Sequence, residues 1–323
     1  MKAIVRDRYG SDDVLGLRDV EVPQVGEGDV LVRVRAAGLD RGAWHIMAGL
    51  PYLIRIAGYG LRRPKTAGLG SAVAGVVEAI GANVTELRPG AAVYGACSAS
   101  FAEYALARPD KLARMPANLT FEQAAAVPIS AHTALQALRD RGRVQAGRRV
   151  LVVGASGGVG TFAVQIAKAF GADVTGVCST PKVDLVRSIG ADRVIDYAHA
   201  DITDDGQRYD LVLDIGGNRP LSQLRRVLTR DGTLVIVGGE GGGRWTGGIH
   251  RQLGAMLLSP FVRQRLGTFV ANENGTDLDA LRAMLETGAV TPIIDRVVAL
   301  HEVPDAIRDL AGGRVRGKIV VAT

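Results

Sequence analysis

From Val150 to Thr180 the chain reads VLVVGASGGVGTFAVQIAKAFGADVTGVCST, and no other stretch constrains the fold as much. A β-branched run enters a knot of glycines, a helical pattern follows, and a second apolar run closes on Ser179-Thr180. Beyond the knot, Val159, Phe162, Ala163, Ile166, Ala167 and Phe170 recur on one helical face. Strand, glycine turn, helix and strand at this spacing form a βαβ crossover, the unit of a parallel sheet. The knot, Ala155-Ser156-Gly157-Gly158-Val159-Gly160, is an A-x-G-x-x-G version of the dinucleotide fingerprint. Gly157 lets a pyrophosphate approach the backbone, and Gly160 lets the helix pack on the strand. The free N–H groups of the first helical turn face the anion. Ser156, Gly157, Gly158, Val159 and Gly160 are therefore the expected phosphate cradle. Ala155 in place of the first glycine predicts an altered turn, with binding retained.

The end of the second strand discriminates between dinucleotides. An NAD site places a carboxylate there to accept from the ribose hydroxyl. Here the strand ends Cys178-Ser179-Thr180-Pro181-Lys182, with the first acid in that direction at Asp184. Hydroxyls and an ammonium bind a 2′-phosphate that an acid would repel, at roughly 1.5–3 kcal/mol per charge-assisted hydrogen bond. Ser179, Thr180 and Lys182 thus point to NADPH.

Around the crossover, strands are expected at 149–153, 173–178, 193–195, 210–214 and 233–237, with helices at 158–170, 181–189 and 219–228. This alternation argues for an α/β fold with a doubly wound parallel sheet. Residues 1–120 are instead β-rich, in short apolar runs cut by Gly, Pro and Asn turns, until TFEQAAAVPISAHTALQALRDRG begins a helical pattern capped by Thr120. Further helices are expected near 277–287 and 303–311, and the chain closes on a strand-like GKIVVAT. A Rossmann NADPH-binding domain at 123–261 is then inserted into a β-rich catalytic domain made of 1–122 and 262–323.

The N-terminal MKAIVRDRYG has no apolar core for a signal peptide, and two cysteines cannot frame disulfides or a zinc lobe. A cytoplasmic protein is expected, with no membrane span. Net charge is +6, yet the arginines are interspersed with acids, so no nucleic-acid partner is expected.

The chain resembles the medium-chain dehydrogenase/reductase superfamily, and within it the zinc-free quinone oxidoreductase-like branch. The likeness is carried by AGVVEAIGANVTELRPGAAVYG, FAEYALA, LTFEQAAAVPISAHTALQAL, GASGGVGTFAVQIAKAFGA, RSIGADRVIDY and RGKIVV. It implies a GroES-like fold for the β-rich domain and a homodimer, with edge-strand pairing expected near 233–250. It also implies that Thr133, Gly216, Gly217, Val237, Gly238 and Gly239 hold the nicotinamide half, with Phe269 and Val270 closing that pocket. Tyr197 and Arg316 would join Ser179 and Lys182 around the adenosine phosphate. The zinc ligands of metal-bearing relatives fall on Asp40, Ser71 and Ile129, a set that predicts no metal.

Without a Lewis acid, the substrate must supply its own electron sink. This implies an oxidoreductase transferring hydride from NADPH to an apolar or aromatic quinone or α,β-unsaturated carbonyl. The branch often carries Asn-Pro-x-Asp near the nicotinamide, where this chain has Asp40-Arg41-Gly42-Ala43. Asp40, as orienter or proton relay, and Tyr52, as donor to a carbonyl oxygen, are the candidate catalytic residues. The segment PYLIRIAGYGLRRPKTAGLG is read as a wall over the substrate. Met256, Leu257, Leu258 and Phe261 are read as core and interface. Other readings are a zinc-free alcohol or aldehyde dehydrogenase, a tailoring enoyl reductase, and a non-catalytic NADPH sensor or RNA-binding protein.

Overall fold

The computed structural model describes residues 1–204, 206–239 and 243–323, so Glu240, Gly241 and Gly242 of the glycine-rich loop lie outside the described residues. The chain divides into two compact units. One contains residues 1–132, 272–287 and 292–323, and the other residues 133–271 and 288–291.

The first unit opens with a hairpin of β1 (Lys2–Val5) and β2 (Gly16–Asp19). Its main sheet uses β3 (Val30–Leu39), β4 (Ala72–Ile80), β5 (Ala92–Ala96), β6 (Tyr104–Ala107) and β7 (Leu112–Arg114). Helix α1 (Arg41–Ala48) and the short α2 (Tyr52–Ile54) follow β3. The 120s contain two helices, α3 (Phe121–Ala125) and α4 (Pro128–Gln136). Pro128 has no N–H to continue α3 and disfavours helical geometry at Val127, so the single helical pattern breaks there. Thr120 caps α3: its hydroxyl accepts from the Gln123 N–H, and the Gln123 side chain returns the bond to the Thr120 N–H.

In the second unit, β8 (Arg149–Val153), β9 (Asp173–Cys178), β10 (Arg193–Asp196), β11 (Tyr209–Asp214), β12 (Leu228–Ile236) and β13 (Arg265–Thr268) form one sheet. Its order is β10-β9-β8-β11-β12-β13, and every pairing is parallel. The crossovers carry α5 (Gly158–Ala169), α6 (Val183–Ser188), α7 (Leu221–Arg226) and α8 (Ile249–Leu258). The order reverses direction between β8 and β11, the switch point at which open α/β sheets bind ligands. Leu151, Val153, Val212, Leu234 and Ile236 are buried in its core.

Helix α9 (Gly275–Glu286), β14 (Ile294–Ala299), α10 (Val303–Ala311) and β15 (Lys318–Ala322) return to the first unit. β15 pairs antiparallel with β3, placing the C-terminal strand inside the sheet begun at the N-terminus. The sheet order is β14-β15-β3-β4-β5-β7, with β6 also on β3.

The observed divisions fall at 132/133 and 271/272, against the expected 122/123 and 261/262. The later return has a physical cause: β13 bonds to β12, which keeps residues 265–268 in the parallel sheet. β13 also covers β12, so the 233–236 stretch is an inner strand and not the edge expected for subunit pairing. Met256, Leu257 and Phe261 are exposed, as is Leu253, contrary to a core role, while Leu258 is partly buried against the core of this unit. Only Arg251 and Ala255 of α8 are buried.

Candidate active site

The glycine turn after β8 is built from close backbone contacts. Gly154 takes the left-handed conformation, φ 88°, where the sequence reading had placed the altered turn at Ala155. Ala155 is fully buried, with its N–H on the Val177 carbonyl. A glycine directly after an apolar run, here Gly154 after Val153, is the sequence signal for this role. A Cβ on Gly160 would overlap the Gly154 carbonyl oxygen, so helix and strand approach as closely as expected. A Cβ on Gly157 would meet only that oxygen, at 3.6 Å, an ordinary contact. The space beside Gly157 is therefore open.

Gly157 is the N-cap of α5, and the first intrahelical bond runs from the Thr161 N–H to its carbonyl. That leaves the N–H groups of Gly158, Val159 and Gly160 without helical acceptors. The first turn contains no acid. Orphan donors, the positive dipole end and open space beside Gly157 together fit a pyrophosphate.

The other parallel strands deliver their following loops to the same edge. Gly216 and Gly217 follow β11, Val237, Gly238 and Gly239 follow β12, and Phe269 and Val270 follow β13. Gly154 and Gly216 approach so closely that a Cβ on the former would lie 2.9 Å from the latter's nitrogen. A Cβ on Gly238 would overlap the Ile215 carbonyl oxygen. Phe269 lies beneath the Arg141 guanidinium at 5.8 Å, and Val270 is 93% exposed. Thr133 lies in α4 at the start of this unit.

An ion pair that the sequence reading missed underlies these loops. Asp214, the last residue of β11, is fully buried and bonds to Arg251 of α8 and to the Gly217 N–H. Burial pushes the Asp214 carboxyl up, while the guanidinium and the amide pull it down. The pair thereby ties the 215–217 loop to α8.

Ser179, Thr180 and Lys182 follow β9, and Tyr197 follows β10, donating its N–H to the Cys178 carbonyl at 3.1 Å. Asp196, paired in register with Cys178, also stands at this corner. Hydrogen bonds from the Thr180 hydroxyl, the Ala198 N–H and His199 hold its carboxyl below the usual range. Thr180 is thus engaged by an acid that a scan along β9 could not reveal, because it comes from the neighbouring strand. Ser179 and Lys182 occupy the turn after β9 as expected.

Three expected residues belong to the first unit. Arg316 lies just before β15, where its N–H donates to Asp295. Tyr52 lies under the Arg55 guanidinium at 4.7 Å, and Arg55 also stacks on Tyr9 at 4.4 Å. The Tyr9 hydroxyl reaches the Tyr59 and Gly60 carbonyls at 2.8 and 2.7 Å, anchoring the expected substrate wall. Ile56 and Leu61 of that segment are exposed.

Asp40 follows β3 as the N-cap of α1, yet its side chain makes no cap bond. It is drawn instead to Lys318 of β15, which is 2% exposed, and to the Ser130 hydroxyl at 2.9 Å. The Lys318 ammonium further donates to the Leu39 carbonyl at 3.0 Å and Ser130 Oγ at 3.3 Å. Asp40 Oδ2 is buried without a hydrogen-bond partner among the described residues. Ser130 and Lys318 were not legible as site residues.

Zinc does not fit this place: Ser71 and Ile129 are poor or impossible ligands, and an ammonium already pairs with Asp40. Among the described residues no group of three His, Cys, Asp or Glu side chains is placed to hold a metal ion. No helix among them is long and apolar enough to cross a membrane.

Comparison with known proteins agrees with this architecture. Residues 26–117 match the family described as alcohol dehydrogenase GroES-like domain, and residues 189–321 that described as zinc-binding dehydrogenase. The chain is 33% identical to the NADPH-dependent alkenal/one oxidoreductase of Arabidopsis thaliana, across 99% of this chain and 79% of that protein. It is 31% identical to the quinone oxidoreductase of Homo sapiens, across 99% and 97%. The structure of the quinone oxidoreductase from Coxiella burnetii superposes with a TM-score of 0.89 at 27% identity, covering 100% and 99% of the two chains.

Proposed function

The chain belongs to the medium-chain dehydrogenase/reductase superfamily, in its quinone oxidoreductase-like branch, and from that premise we propose an NADPH-dependent, zinc-independent reductase of quinones or α,β-unsaturated carbonyls. The observation that carries this reading is the pairing of Lys318 with Asp40, one of the three positions, with Ser71 and Ile129, onto which the resemblance maps the zinc ligands of metal-bearing relatives. A site with no metal to polarise an alkoxide suits a substrate that delocalises its own negative charge. Relatives named for alkenal/one and quinone reduction support the same substrate class.

When bound, NADPH supplies the hydride. The chain's own residues do the holding. The N–H groups at Gly158, Val159 and Gly160, beside Ser156 and Gly157, take the pyrophosphate. Ser179 and Lys182, with Tyr197, take the adenosine phosphate. Thr133, Gly216, Gly217, Val237, Gly238, Gly239, Phe269 and Val270 frame the nicotinamide half. Asp40 acts as an acceptor, since both Ser130 and Lys318 donate to its Oδ1. Proton donation to the reduced substrate then falls to Tyr52 or to water.

The two cysteines form no disulfide, which suits a reducing cytoplasm, and burial pushes the Cys97 and Cys178 thiols up to about 12 and 11. A homodimer is proposed through the exposed apolar residues of α8.

The test is NADPH oxidation by purified protein against a quinone and enone panel, with and without chelator. Turnover indifferent to chelation supports the reading. Turnover only with simple alcohols and NADP⁺ would favour the dehydrogenase alternative. Lys182→Ala is expected to weaken NADPH roughly tenfold while leaving NADH nearly unchanged, read by fluorescence titration.

A further inference from the structure

The dinucleotide reading uses the C-terminal ends of the parallel strands. The opposite edge of the same sheet carries a cavity of ≈ 420 Å³. Its walls are the 142–144 turn, Arg148, the start of β11 at Asp210 and Leu211, residues 229–233 of β12, and Arg265 at the start of β13. Four arginines, Arg143, Arg148, Arg230 and Arg265, face two carboxylates, Asp210 and Asp231. Asp210 is already engaged, accepting from the Arg149 N–H at 3.0 Å and from Arg148 at 3.5 Å. The side chains of Arg143, Arg230 and Arg265 make no hydrogen bond or ion pair among the described residues. The walls are therefore net positive and rich in unused donors.

Arg143 adds an independent signal. Its φ of 49° lies in the left-handed region. The Gly142 N–H closes on the Ala137 carbonyl at 2.8 Å, and the Val144 N–H on the Leu138 carbonyl at 3.0 Å. This is a helix-terminating turn whose left-handed position favours glycine or asparagine, because a Cβ is crowded there. Gly142 is itself fixed by packing, since a Cβ would sit 2.5 Å from Leu211 Cδ2. A residue held against its backbone preference is a pointer to function. Here the strained residue contributes a guanidinium to the cavity wall.

Guanidinium groups are permanently charged forks matched to phosphoryl oxygens. The cavity has the volume of a small-molecule site. We propose that this arginine-lined cavity is a second anion site, separate from the dinucleotide cradle, that takes a compact polyanion bearing at least two phosphoryl groups.

The test is calorimetric titration of the full chain with inorganic pyrophosphate at saturating NADPH, which keeps the cradle occupied. Saturable one-to-one binding that weakens with salt is expected. Arg143→Gly should weaken it tenfold or more, and Arg265→Ala likewise. Glycine suits the left-handed backbone better than arginine, so Arg143→Gly should melt no lower than the parent. Both variants should oxidise NADPH at the parental rate. Loss of the titration once NADPH saturates, or unchanged pyrophosphate binding by Arg143→Gly, overturns the proposal. So does binding of a single-stranded oligonucleotide without saturable pyrophosphate binding, which would mark a nucleic-acid surface.

Discussion

Gly157 and Gly160 lie in one turn yet answer to different demands. At Gly160 an added methyl meets the Gly154 carbonyl, which is backbone and cannot step aside. Gly160→Ala is therefore expected to cost about 1–3 kcal/mol of stability, measured by urea denaturation. At Gly157 the methyl has room, so Gly157→Ala should fold normally and weaken NADPH through intrusion on the pyrophosphate. Thermal melts beside a cofactor titration separate the two; a Gly157→Ala variant with unaltered affinity would refute the assigned cradle. Lys318 presents a third case. Removing one member of a buried ion pair leaves the other charge uncompensated, so Lys318→Met should cost about 3 kcal/mol. Adding Asp40→Asn should recover part of that loss, and strict additivity in denaturation would exclude the coupling.

Among the elements, the crossover strands and helices were legible because each carries its own signal. The β8 run, the α5 stripe and the Thr120 start all appear at the expected residues. Thr120→Ala should lower stability by about 1 kcal/mol through loss of the capping box, checked by chemical denaturation with Thr120→Ser as the conservative control. The failures were of context. Whether β12 is an edge depends on β13, a short strand with little periodicity of its own, and the β13 pairing also moved the unit boundary. Helix α8 shows an apolar pattern, but its pattern cannot say whether those side chains meet the core or solvent.

For the whole molecule, the exposed row Leu253, Met256, Leu257 and Phe261 is the feature that a monomer leaves unexplained. If it joins two copies, Leu257→Lys should shift the protein to a monomer by light scattering after size exclusion, while the parent remains dimeric. A monomeric parent at micromolar concentration would remove the dimer from the account. Local regularities in the sequence determined the crossover, the strand and helix alternation of the parallel sheet, and the glycine turn that opens α5. Periodicity, glycine spacing and caps act between residues a few positions apart, so they can be read in order. Tertiary structure alone joined Lys318 to Asp40, Arg251 to Asp214 and Asp196 to Thr180. It also gathered the arginines of the second anion cavity. Such pairs come from separate strands and helices, and their charge complementarity acts only once the sheets have brought them together.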